Sequence, residues 1–255
     1  MPQWAASRYV ILSEMSKTVV ILQSNYIPWK GYFDLMNMAD EFVLYDDVQY
    51  TRRDWRNRNM IKTAHGLKWL TIPVEVKGKY HQLICETVAS DDKWRREHWN
   101  SIHHAYGKAP HFGAYAGTFE SLYMQSSERN LSRINRAFMD AICSVLGITT
   151  RISWSMDFAG AREIEDKTER LAYICKEAGA THYISGPAAR GYIKDELFEA
   201  AGITLSYMDY SGYPEYPQMH GGFEHGVSVL DLIFNAGPSA TSYMKSFAGK
   251  GARAR

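Results

Sequence analysis

The sequence predicts an α/β fold, a Rossmann-like, mostly parallel sheet flanked by helices. Three observations predict it. Residues 19–59 read as strand, polar loop, helix and strand within about forty residues, the length of one βαβ unit. Apolar strands and helix-period segments go on alternating from residue 131 to residue 234. Polar residues gather where the strands end, and in open α/β sheets ligands bind beyond those carboxyl ends.

The elements follow in chain order. Val19–Leu22 is a short β-branched run of the kind found in buried strands. Ser24-Asn25-Tyr26, Pro28 and Gly31 break it, and Tyr32–Met38 begins a helix. Phe42–Tyr45 is the second strand, with Asp46-Asp47 at its end. In residues 51–62, Arg52 and Arg56 are four apart and share a face if the segment is helical. That run is either a solvated face or, mixed as it is with Asn, Trp and Tyr, an anion-binding one, because guanidinium forks match phosphate and carboxylate. Leu67–Val76 reads as a third strand and Gln82–Val88 as a fourth of unknown pairing. Residues 91–106 read as a helix capped by Ser90 or Asp91. Its His98, His103 and His104 lack the i, i+4 spacing of a metal pair. An imidazole acting as a general base or touching phosphate fits them better.

Phe112–Met124 is a short helix or coil. Leu131, Ile134, Phe138, Ile142 and Val145 recur at helical spacing up to Gly147. Ile148–Trp154 is a strand, Asp166–Ala178 a helix and Thr181–Ile184 a strand. The loop Ser185-Gly186-Pro187-Ala188-Ala189-Arg190-Gly191-Tyr192 leads to a helix at 195–201 and can offer backbone N–H groups to an anion, or be an ordinary turn. Ile203–Met208 is a strand. Residues 210–226 form a long loop, and such loops are usually functional or mobile. Ser228 caps a final helix to Phe234.

Composition narrows the function classes. The 255 residues carry 29 basic and 28 acidic side chains, a net charge of +1, so no bulk field points to nucleic acid or to a membrane surface. The 17 Tyr, 10 Phe and 7 Trp suit pockets that pack and hydrogen-bond together. Cys85, Cys143 and Cys175 have no metal-ligand spacing and read as free thiols of a cytoplasmic protein. No apolar run approaches the ~20 residues of a membrane span, and the start lacks the pattern of a signal peptide. Residues 1–14 read as a disordered extension, 15–238 as a single α/β domain and 239–255 as a flexible basic tail.

The segments QSNYIPWKGYFDLMNMADEFVLYDDVQYTRRDWRNRN, KWLTIPV, HHAYGKAPHF, THYISGPAARGYI and SVLDLIFNAG resemble the WbqC-like family, over roughly Val19 to Gly237. One departure is Ser24, where a proline often follows the glutamine. The resemblance implies a bacterial protein encoded among genes for O-antigen, the outer part of lipopolysaccharide, and other surface polysaccharides. It implies a transferase that adds glycine or another acyl group to a nucleotide-linked amino sugar. A fainter likeness to the nucleotidyltransferase and adenylate-forming (HUP) enzymes implies ATP and magnesium as cofactors. Pro28-Trp29-Lys30-Gly31 stands where their two histidines would be, so that likeness concerns fold.

Amide formation needs an activated acyl donor and an amine freed of its proton. Asp46 or Asp47 is the expected proton acceptor, with His98 as a further candidate. Asn25, Gln49 and the Ser185-Gly186 backbone are expected at an oxyanion. Arg56, Arg58 and Arg190, with Asn57, are expected on phosphate or acyl-phosphate oxygens. Gln23, Tyr26, Trp29, Tyr192, Tyr216 and Gln218 complete the expected substrate site, which requires Asn25, Asp47 and Arg190 around one cavity. The expected partners are the sugar nucleotide, a small acyl donor (glycine, a thioester or an aminoacyl-tRNA) and a second copy in a homodimer. Two alternatives stand: a nucleotidyltransferase or adenylate-forming ligase of the same pathway, and a sugar-nucleotide-binding protein without turnover.

Overall fold

The computed structural model describes residues 16–248. In chain order the elements are β1 (Thr18–Leu22), α1 (Lys30–Asn37), β2 (Glu41–Leu44), β3 (Arg58–Thr63), β4 (Gly66–Thr71), α2 (Lys93–Tyr106), α3 (Phe112–Met124), α4 (Leu131–Leu146), β5 (Arg151–Trp154), α5 (Lys167–Glu177), β6 (His182–Ser185), α6 (Asp195–Ala200), β7 (Thr204–Tyr207) and α7 (Val229–Ala236). Five strands make one parallel sheet in the order β5-β2-β1-β6-β7. The direction of winding reverses between β1 and β6, the switch point where doubly wound sheets open a crevice.

The apolar run of β1 lies at the centre because helices cover both faces of a parallel sheet. Its side chains divide by parity. Val19 and Ile21 pack with Val43, Leu171, Ile174, Cys175 and Phe198, under α5 and α6. Val20 faces the larger core built by α1, α2, α3, α4 and α7. Local chemistry sets the helix ends. Asn130 and Asp166 accept backbone N–H bonds at the starts of α4 and α5, and Ser228 does so at α7. Gly147, at φ 69°, closes α4 in the left-handed conformation.

Two expected strands differ in the structure, and the arginine-rich segment takes a form that the sequence left open. The arginine-rich segment is not helical: residues 52–57 are turns and bends, and Arg58–Thr63 is a strand. It pairs antiparallel with β4 through the two-residue turn Ala64-His65 and stands apart from the parallel sheet. The strand expected to Val76 stops at Thr71, and no strand forms at 82–88. A 3₁₀ turn at Ile84–Glu86 lies there, with isolated bridges at Leu83 and Val88.

Residues 239–248 are not a loose tail. The 3₁₀ turn at Gly237–Tyr243 packs on α7 and the one at Lys245–Phe247 on α1, Met244 is buried, and the Lys245 and Ser246 N–H groups donate to the buried Asp34 carboxylate at 2.7 and 2.6 Å. The expected extension at 1–14 and residues 249–255 lie outside the described residues. Among the described residues no helix is long and apolar enough to cross a membrane.

Candidate functional site

The loop after β1 is held from three sides. Asp46 follows β2 and accepts from the Ser24 N–H at 2.8 Å and from the Ser132 hydroxyl of α4. Asn135, also on α4, donates to Ser24 Oγ at 3.0 Å and to the Arg56 carbonyl at 2.9 Å. Asn59 of β3 donates to the carbonyls of Tyr26 and Ile27 at 3.1 and 3.0 Å. Ile27 sits at φ 37°. A β-branched residue ahead of proline strongly disfavours that conformation, at a cost of about 1–3 kcal/mol. The surrounding bonds hold it there, and such outliers gather at functional sites.

This strained loop walls a cavity of about 300 Å³ lined by Asn25, Pro28, Trp29, Trp55, Asn59, His225 and Gly226. The Arg56 guanidinium donates to Asn25 Oδ1 and fixes that amide. Trp29 lies edge-on to Tyr210 and Tyr213, at 5.1 and 5.6 Å between ring centroids. Its indole also folds over Gly31, where an added Cβ would fall 2.3 Å from the ring. Gly31→Ala is therefore expected to push the Trp29 indole off its seat and destabilise the fold by about 1–3 kcal/mol. Urea unfolding with near-ultraviolet circular dichroism measures both effects. Unchanged stability and an unchanged aromatic spectrum would refute the contact.

The cavity lies beside two helix starts. α1 begins one residue after Trp29 and α7 three residues after Gly226. The Val229 N–H donates to the Pro28 carbonyl at 2.9 Å, tying one start to the other. Its lining contains no carboxylate, and His225 is the titratable side chain within it. Two indoles, two amides and an imidazole beside positive helix ends suit a ring-shaped polar ligand with an anionic part.

The expected residues divide between this site and the interior. Asn25 and Trp29 line the cavity, and Arg56 supports it. Asp47 does not reach it: Ser155 and Arg170 hold its two carboxylate oxygens in a buried pair. Asp46 is fully buried, and burial raises its pKa despite its hydrogen bonds. The expectation that these carboxylates face a substrate is corrected: both tie loops together. His98 is enclosed by Tyr26, Trp94 and Tyr123 and bonds Tyr26 Oη through Nδ1 at 2.9 Å. Burial lowers its pKa to about 4, so it stays neutral near pH 7.

Tyr216 and Gln218 bond the buried Asp231, each at 2.7 Å, and Tyr106 joins them at 2.9 Å. That network anchors the 210–226 loop and leaves neither side chain in the lining. Asn57 donates to the Ile72 carbonyl at 2.8 Å, and Arg58 lies over Trp69. Exposed Gln49 donates to the Tyr80 carbonyl at 2.9 Å, and the Gln23 carbonyl accepts from Tyr32 at 3.0 Å. Ser185 is buried at the end of β6, Gly186 opens a 3₁₀ turn, Arg190 lies over Tyr207 at 4.4 Å, and Tyr192 is exposed. The one shared cavity required of Asn25, Asp47 and Arg190 is thus replaced by a smaller one that includes neither Asp47 nor Arg190. Pro28, Trp55, Asn59, His225 and Gly226 were missed as site residues. Trp55 and Asn59 lie inside the arginine-rich block, and His225-Gly226 is separated from Ser228, the cap of α7, by Val227 alone.

Fold and cavity together define an α/β protein of Rossmann-like topology with a ligand-sized hollow beyond its first strand. The chain belongs to the WbqC-like protein family, whose pattern matches residues 23–243. It is 49% identical over 229 residues to a Mycobacterium tuberculosis protein named Uncharacterized protein Rv1507c, covering 90% of this chain and 98% of that one. No solved structure matches the chain significantly.

Proposed function

We propose that the chain is a transferase of surface-polysaccharide biosynthesis that binds a nucleotide-linked amino sugar beside β1 and joins its amine to an activated glycyl or other acyl group. The observation that carries this reading is the cavity: two indoles for a sugar ring, amides from Asn25 and Asn59 for hydroxyls or a carbonyl, and one imidazole. The sugar amine attacks the acyl carbonyl, the C–N bond forms, and the donor's leaving group departs with its electron pair. His225 takes the ammonium proton. Asn25, fixed by Arg56, donates to the developing oxyanion.

The lining has no carboxylate to hold magnesium, and the described residues contain no cluster of three or more His, Cys, Asp or Glu fit for a metal. No step is therefore assigned to ATP and magnesium. The setting that fits this reading is cytoplasmic.

The test combines purified chain, UDP-glucosamine and an activated glycyl donor, either a thioester or glycine with ATP, read by mass spectrometry. A glycyl increment on the sugar nucleotide supports the reading, and release of AMP would move donor activation into this chain. His225→Gln is expected to lower turnover on the order of 10²-fold or more while binding changes little. The exposure of His225 favours one second reading, a binding protein without turnover. That reading predicts UDP-glucosamine affinity with no product in either protein. Failure of UDP-glucosamine to bind at millimolar concentration would remove both.

A further inference from the structure

A cavity of about 300 Å³ sits at the lower bound of ligand pockets. It holds one substituted sugar ring, whereas a nucleoside diphosphate attached to that ring needs space outside. The surface next to the cavity has the matching chemistry. Trp55 belongs to the cavity lining yet is 42% exposed, and its ring lies 5.5 Å from that of Trp69, also 42% exposed, on β4. Arg58 of β3 lies over Trp69 at 4.1 Å. A further Nη2 bond from Arg58 to the Arg53 carbonyl, at 2.6 Å, pins the guanidinium to the turn. Residues 52–58 carry four arginines and a single aspartate. An exposed pair of indoles beside a cationic strip is thus continuous with the proposed sugar cavity.

We propose that the outer face of the β3–β4 hairpin is the nucleoside diphosphate subsite of this ligand. The base stacks on Trp69 and Trp55, and the phosphates lie along the arginine side of the turn. Aromatic faces accept any base, so this subsite contributes affinity with little discrimination among bases. Arginine forks suit the diphosphate oxygens and place the sugar end toward Asn25 and Trp29. The inference rests on the cavity binding a sugar nucleotide, as proposed above.

Calorimetric titration of UDP, UDP-glucosamine and methyl glucosaminide into wild type, Trp69→Ala and Trp69→Tyr tests it. Trp69→Ala is expected to weaken UDP and UDP-glucosamine on the order of tenfold and leave methyl glucosaminide unchanged. Trp69→Tyr, which keeps an aromatic face, is expected to restore most of the loss. Thermal unfolding of both variants separates binding from folding. Wild-type affinity of Trp69→Ala for UDP-glucosamine would overturn the subsite and leave the cavity reading standing. So would a wild-type chain that binds methyl glucosaminide as tightly as UDP-glucosamine. Dissociation of a dimer by Trp69→Ala, with nucleotide affinity unchanged, would assign the hairpin face to a second copy of the chain and overturn it too. Absence of binding by all three probes would remove the cavity reading and this subsite together.

Discussion

Arg170→Met is expected to destabilise the folded chain by about 3–5 kcal/mol. Arg170 on α5 pairs with Asp47, and their side chains are 11% and 2% exposed. Ser155 supplies the other carboxylate oxygen with a hydrogen bond. Removing the guanidinium leaves an anion shut away from water with one neutral partner, and that desolvation is the main cost. Asp47→Leu with Arg170→Met removes both charges and is expected to recover much of the loss, because a desolvated pair adds little over apolar packing. Urea unfolding of wild type, both single variants and the double variant gives the coupling. A loss below 1 kcal/mol for Arg170→Met would show that the Asp47 carboxylate finds water, and would reopen it as a proton acceptor.

Acid is the second large effect. His98 has its pKa lowered from 6.5 to about 4 by burial. Between those values the unfolded chain carries a proton that the folded chain refuses. Stability is therefore complete above pH 6.5 and falls as pH drops toward 4, by about 3 kcal/mol from this residue. Burial raises the pKa of Asp46 and Asp231, which act in the opposite direction: each contributes stability on acidification through its raised value. The comparison that isolates His98 is wild type against His98→Gln, which cannot take the proton. Urea midpoints from pH 7 to pH 4 should fall more steeply in wild type, by an amount equal to about 3 kcal/mol. Parallel curves would show that the imidazole reaches solvent or protonates in place.

The sheet was legible because its signal is local. β1, β2, β6 and β7 are short apolar runs bounded by polar or glycine residues, and α4 matched its periodicity from Leu131 to Leu146. In the hairpin β4 was legible and β3 was not, because Arg58–Thr63 mixes arginine, asparagine and lysine. Its strand character comes from pairing with β4 and from Asn59 and Ile61 facing the core, which no local pattern announces. The same gap hid half of the site. Asn25 and Trp29 stand out beside a strand end. His225 reaches them from 200 residues away, because α7 docks its first N–H on the Pro28 carbonyl. Asp46 and Asp47 misled for a physical reason. A carboxylate at a strand end looks identical in sequence whether it meets a substrate or, as here, the hydroxyls of Ser132 and Ser155.

The central position of β1 governs how the chain can assemble. Its neighbour on one side, β2, follows within about twenty residues, whereas Thr18 and Val19 meet their other partners at His182 and Tyr183. On a ribosome, β1 is synthesised well before β6 and keeps one edge unpaired until the chain has emerged as far as His182 and Tyr183. Closing so long a chain is entropically slow. A nascent chain halted before residue 182 would carry an open, apolar strand edge of the kind that recruits chaperones or aggregates.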